Sequence, residues 1–192
     1  MAVTVVQHKN FIDIIKGLMK DDQSVLDIGC GIGATLKEFP CPIKLGLDAH
    51  EPYLIKAGAI AQIIPLKLKA ERIGEVFLPQ SIDCVTLIDV IEHLKKEVGS
   101  EILSQAERIA SKKVIVFTPR GFFKQMEEDH YGLGGEEFQT HRSGWEVEDF
   151  LTRGYEVVLF SQFHDQSNSA FVKAYGKEAE PIDALLAWKE PS

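Results

Sequence analysis

The sequence predicts an α/β fold: one mostly parallel, seven-stranded sheet with an antiparallel last strand and helices on both faces. Three observations predict it. The apolar run 25–28 is followed by glycines at alternate positions, Gly29, Gly31 and Gly33, and then by a short helical stretch. A second run, Ile43–Asp48, ends in an acid 19 residues after Gly29. Beyond it, apolar runs of strand length alternate with stretches of helical periodicity as far as residue 152. That alternation is the mark of parallel strands joined by helical crossovers.

Each element has its own reason. Residues 10–19 carry Phe11, Ile12, Ile14, Ile15, Leu18 and Met19 at helical spacing, so an N-terminal helix is predicted over about 8–20. The run 25–28 is almost wholly apolar, as a strand buried on both faces requires. The three glycines remove every side chain from the turn, which lets the backbone take positive φ and approach a ligand closely. A short helix over 34–39 is stopped by Pro40 and Pro42. After the strand Ile43–Asp48, Pro52 opens a helix to about Gly58, and Ala49 is small enough to leave room for a flat ring.

Residues 60–66 read as a third strand that Pro65 pushes toward an edge. Residues 81–88 form a fourth, leading into a helix that starts at Asp89 and is broken by Gly99-Ser100. A helix with the stripe Ile102, Leu103, Ala106, Ile109 and Ala110 precedes a fifth strand over 113–118. Residues 119–144 are long for a connection, mix aromatic, histidine, arginine and glycine residues, and leave the ligand-binding edge of a sheet. A substrate lid is predicted there. A helix over 145–152, a sixth strand over 155–160 and a seventh over 168–175, paired as a hairpin, complete the sheet. The acidic tail 176–192 carries a weak apolar group, Ile182, Leu185, Leu186 and Trp188, that docks on the body or on a second copy; a homodimer is left open.

Composition sets the outer bounds. A chain of 192 residues with 45% hydrophobic residues is expected to be a single domain, 1–192, with a full core. A net charge of −8 gives no general attraction to nucleic acid or anionic membrane. Cys30, Cys41 and Cys84 form no C-x-x-C pair and read as free thiols of a reducing compartment. No run approaches a membrane span, so a cytoplasmic location is expected.

Gly29, Gly31 and Ala34 also satisfy the dinucleotide-binding pattern. Asp27 argues against that reading. A carboxylate roughly 6 Å from a pyrophosphate, at an effective dielectric of about 20, costs on the order of 3 kcal/mol per phosphate charge. A cationic ligand is attracted instead.

Asp27 followed by Gly29-x-Gly31-x-Gly33 closely resembles the first motif of the class I methyltransferases that use S-adenosylmethionine (SAM), a Rossmann-like family. The likeness runs from about Ser24 to Tyr175. It implies that Asp27, Gly29, Cys30, Gly31 and Gly33 face the amino-acid end of the cofactor and that Asp48 meets the ribose hydroxyls beside Ala49. It further places Ala70 and Glu71 near the adenine, although Lys69 stands where the family often has an acid. Asp89 would lie beside the methyl group. The implied activity is methyl transfer to an acceptor, expected to be a small molecule because the chain has no basic stripe. His93 and His141 are the candidate proton acceptors, since histidine titrates near neutrality.

A narrower resemblance concerns a metal. Asp89-x-x-Glu92-His93 with the later His141 is similar to the metal site of the small-RNA 3′-terminal 2′-O-methyltransferases, which carry Glu-x-x-Glu-His and a further His. It makes Asp89, Glu92, His93 and His141 an alternative ligand set; the first reading has no metal. A NAD-dependent oxidoreductase and a catalytically silent SAM-binding subunit complete the alternatives.

Overall fold

A computed structural model describes residues 3–7, 9–125 and 129–191. Position 8 of the predicted N-terminal helix, positions 126–128 of the predicted lid and position 192 of the tail lie outside the described residues. The strands are β1 (Val3–Val6), β2 (Ser24–Ile28), β3 (Ile43–Asp48), β4 (Ile63–Lys67), β5 (Ile82–Ile88), β6 (Ala110–Pro119), β7 (Glu156–His164) and β8 (Ile182–Lys189). The helices are α1 (Phe11–Leu18), α2 (Glu51–Gly58), α3 (Ile73–Val76), α4 (Lys96–Ile109), α5 (Glu136–Gln139), α6 (Val147–Leu151) and α7 (Ser169–Tyr175).

All eight strands form one sheet in the order β1-β7-β8-β6-β5-β2-β3-β4. Its pairs are parallel except those of β8, which runs antiparallel to both β6 and β7. The chain moves outward from β2 through β3 to β4 and then returns to β5 on the other side of β2. This reversal separates the loops after β2 and β5 and opens a crevice at their carboxyl ends.

Both faces of the sheet are covered. Ile15 of α1 with Leu54 and Ala57 of α2 pack on one face against Val25, Cys84 and Ile115. Ile73 of α3, Ile102 and Ala106 of α4, and Phe150 of α6 pack on the other against Leu26, Val85 and Val114. Burial on both sides is why the central strands lack polar alternation. Asp27 and Thr86 are two buried polar exceptions, and they are register partners on adjacent strands.

Several elements depart from expectation. Among the described residues the sheet has eight strands, because residues 3–6 add a parallel edge strand beside β7. The stretch 34–39 forms only a 3₁₀ turn, Leu36–Glu38. Gly99-Ser100 does not interrupt a helix: α4 runs through it, and a β-carbon on Gly99 would stand 2.7 Å from Trp145 Cζ2. The glycine makes room for the tryptophan. Residues 168–175 are not a strand. Asn168 caps α7 by accepting hydrogen bonds from the Ala170 and Phe171 N–H groups, and Gly176 ends it at φ 89°. The antiparallel strand lies instead in the tail, where Ala184, Leu185, Leu186 and Ala187 are fully buried between β6 and β7.

A tail that merely docked on the surface would tolerate truncation of its side chains, whereas a central strand would not. Leu186→Ala is expected to lower unfolding free energy by about 2–5 kcal/mol, read by denaturant titration.

Candidate cofactor and acceptor site

The glycine turn is pinned to the neighbouring strand. The Gly29 and Cys30 N–H groups donate to the Leu47 carbonyl of β3, at 2.7 and 2.9 Å. Gly29, Gly31 and Gly33 all have positive φ, at 71°, 54° and 76°. At Gly29 a β-carbon would also stand 2.5 Å from Val90 Cγ2, so the loop after β5 closes directly on the turn. Gly31 is open, with Tyr131 3.8 Å from where its β-carbon would be. Gly33 backs onto Ile63 of β4 and Ala57 of α2, so its lack of a side chain serves packing.

Above the turn lies a cavity of about 890 Å³. Its walls include Asp27, Gly29, Cys30, Gly31, Asp48, Ala49, Ala70, Glu71 and Asp89. Of the predicted cofactor residues, Gly33 alone is not on the wall. Asp48 accepts hydrogen bonds from the Gly31 N–H at 2.9 Å and the His50 N–H at 2.8 Å. Each carboxylate oxygen keeps a further lone pair. Burial pushes the Asp48 carboxyl above the usual range, and the two N–H groups oppose the shift. Asp27 is 2% exposed and accepts from Thr86 Oγ1 at 2.6 Å. Burial, opposed by Thr86 and reinforced by Asp48, pushes its carboxyl up to about 7.

Asp89 ends the central strand in the left-handed region, at φ 52°, with its N–H on the Phe117 carbonyl at 2.9 Å. Its side chain is open to water within the cavity but ringed by protein, and that burial raises its pKa.

The cavity continues to a second cluster. Glu92, His93 and His141 each offer one donor atom within 4.8 Å of the others. The two imidazoles meet edge to face, with ring centroids 4.5 Å apart. The Glu92 carbonyl accepts from the Arg142 and Ser143 N–H groups at 2.7 and 3.1 Å, which brings the strand-end turn and the predicted lid together. His141 donates Nδ1–H to the Phe123 carbonyl at 2.7 Å, which leaves Nε2 as a lone pair. Burial pushes His141 down to about 4, and burial with His141 nearby pushes His93 down to about 3. Burial and the Asp89 charge drive Glu92 upward, while Thr118 Oγ1 donates to it at 3.0 Å.

Two imidazoles and a carboxyl are a workable ligand set for a divalent cation. Asp89, predicted as a fourth ligand, stands outside the group. Glu92 and His93 lie on a 3₁₀ turn, Ile91–His93, that Asp89 precedes. On an α-helix, positions 89 and 92 would share a face.

The sequence alone did not flag Thr86, Tyr53 or His164, all at this site. Thr86 had a signal, as the one hydroxyl at the centre of an apolar strand beside Asp27. Tyr53 and His164 carried none.

A glycine turn at the switch point, an acid ending the next strand and a lone antiparallel strand beside β6 together define the class I SAM-dependent methyltransferase fold. A family model described as a methyltransferase domain matches residues 26–118. Sterol 24-C-methyltransferase of Candida albicans is 26% identical over 197 residues, 96% of this chain and 49% of that protein. The chain thus spans about half the length of this curated relative. Two solved structures share the fold. A SAM-dependent methyltransferase from Archaeoglobus fulgidus has a TM-score of 0.61 at 19% identity, covering 93% of this chain and 94% of that one. Magnesium protoporphyrin IX methyltransferase from Synechocystis, crystallised with bound SAM, has 0.58 at 16%, covering 96% and 80%. The chain has the fold of the class I SAM-dependent methyltransferases, its residues 26–118 match a methyltransferase domain, and a structural neighbour was crystallised with SAM.

Gly29→Ala tests the turn. The positive φ alone costs about 1–3 kcal/mol for a residue with a β-carbon, and the Val90 contact adds to it. Denaturant melts should show a loss of at least that size, part of which Gly29→Ala/Val90→Ala recovers.

Proposed function

We propose that this chain transfers the methyl group of SAM to a small-molecule acceptor held between the glycine turn and His141. The observation that carries the reading is Asp48. Its carboxylate is already oriented by the turn's own Gly31 N–H and has lone pairs to spare beside Ala49, as a grip on two vicinal hydroxyls needs. The cradle fits the cofactor: a side-chain-free turn, a roomy cavity and two acids that favour a cation.

Asp48 would hold the ribose, with Ala70 and Glu71 toward the adenine. Asp27, Gly29, Cys30 and Gly31 would face the amino-acid end, and Gly33 would act through the packing of the turn. Asp89 would stand beside the sulfonium. SAM supplies an activated methyl group, so the protein's task is largely to align the acceptor in line with it. Where the acceptor must lose a proton, His141 Nε2 and His93 are the uncharged imidazoles on the cavity wall. Burial pushes both well below the near-neutral titration expected from sequence and makes them weak bases. The relatives named for sterol and porphyrin substrates support a small organic acceptor, as does the acidic net charge.

Calorimetry with SAM, its demethylated product and NAD tests the cofactor: only the first two should bind. Asp48→Ala and Gly31→Val should each weaken SAM binding at least about tenfold, and unchanged affinity in both would remove the assignment. A methylation screen over metabolites and RNA, with and without a chelator, tests the acceptor and whether Glu92, His93 and His141 work through a cation.

A pH dependence follows from Asp27. Its carboxyl is protonated below about 7 and charged above. SAM affinity should therefore rise as pH increases through that value, while the product, which lacks the sulfonium charge, should respond less. The sign for stability is opposite. A raised carboxyl stabilises the free fold below the ordinary aspartate range, and that contribution is lost as pH rises through about 7. Asp27→Asn should flatten both dependences, read by calorimetry and by melting temperature across pH.

A further inference from the structure

The segment that follows Asp129 is folded around that residue's carboxylate. Oδ2 accepts from the Leu133 N–H at 2.5 Å and the Gly135 N–H at 3.2 Å. Oδ1 accepts from the Tyr131 N–H at 2.9 Å and from the Tyr53 hydroxyl at 2.7 Å. Three backbone donors from the loop and one side-chain donor from α2 thus converge on one charge.

The same two elements meet at further points. His50 Nε2–H donates to the Leu133 carbonyl at 2.8 Å, and the Gln139 amide donates to the Tyr53 hydroxyl at 3.4 Å. Gly135 lies so close that a β-carbon there would collide with the Tyr53 hydroxyl. His50 is also the residue whose N–H holds Asp48. The loop is therefore fastened to the segment that carries the ribose acid.

The fastening has a product. It sets the ring of Tyr131 edge-on to Tyr53, with centroids 5.3 Å apart, and over Gly31, the glycine of the turn whose β-carbon position is uncrowded. Tyr131 is 46% exposed, and its Cε2 and hydroxyl both lie 3.8 Å from where a β-carbon on Gly31 would be.

We propose that Asp129 is a positioning residue that clamps the 129–135 loop to α2, that Tyr131 is thereby held as a direct contact to the cofactor, and that cofactor exchange requires the clamp to open. The inference rests on the reading that this cavity takes SAM, and it adds to that site two residues for which no local motif exists. Asparagine at 129 matches the aspartate in size but offers one acceptor oxygen and turns an NH₂ group toward one pair of donors. It should loosen the clamp without emptying the space.

The test is release of S-adenosylhomocysteine from the full chain, followed by stopped flow after displacement with excess ligand. Asp129→Asn and Tyr131→Ala should each speed release more than about tenfold, since charge-assisted hydrogen bonds are at stake. The double variant should release no faster than Tyr131→Ala alone, because the two act in series. Chymotryptic cleavage after Tyr131 should be suppressed by the ligand in the wild type and persist in Asp129→Asn. Should Asp129→Asn fail to fold, Tyr53→Phe keeps the carboxylate, removes one donor and should speed release about fivefold. Tight binding with equal release rates in every folded variant would overturn the clamp, as would single effects that multiply in the double variant. No binding to the wild type would instead remove the cofactor reading, and the clamp with it.

Discussion

The carboxylate of Asp48, caught between the N–H groups of Gly31 and His50, is the interaction on which the site depends. It joins the end of β3 to the turn that ends β2 and to the start of α2. The Leu47 carbonyl, one residue earlier, holds the Gly29 and Cys30 N–H groups of the same turn. The turn is thus fixed from its neighbour strand, which is why it can dispense with side chains and leave a bare floor. A ligand at that floor meets a preformed arrangement, so little ordering remains to be done on binding.

Around that floor the protein keeps charge low. Asp27 and Asp89 are pushed upward and His93 and His141 downward, in each case with burial as the leading cause. Every one of these shifts disfavours the ionised form of the group. A cation arriving beside Asp27 reverses the balance there, because it stabilises the carboxylate that burial opposes. The imidazoles, farther along the cavity, are left with free lone pairs.

The glycine turn, Asp48 and the central strands were legible because their signals are local: consecutive apolar residues, alternate glycines, an acid at a fixed separation. The last part of the chain was not. Asn168 and Gly176 are sound start and stop signals for a helix, but the apolar spacing between them also fits a short strand, and the hairpin reading won. Residues 182–189 read as a weak surface group because a strand buried on both faces shows no alternation. From the residues alone His93 and His141 are separate proton acceptors, and only the resemblance to a metal site groups them. Their contact depends on Glu92 binding the backbone of residues 142 and 143, a long-range fact with no local trace. Tyr53, Asp129 and Tyr131 are legible only in three dimensions, since 76 residues separate the first two.

The placement of β8 between β6 and β7 has a consequence for biogenesis. On an emerging nascent chain, β6 and β7 are both made before the strand that must separate them, and β1, the earliest, waits for β7. One half of the sheet, β2 to β6, can assemble during translation, while the other half stays open along two unpaired edges until residues 182–189 leave the ribosome. Unsatisfied strand edges of this kind are targets for misassociation. Chaperone demand should therefore concentrate on the interval before residues 182–189 emerge, after β2 to β6 are already in place.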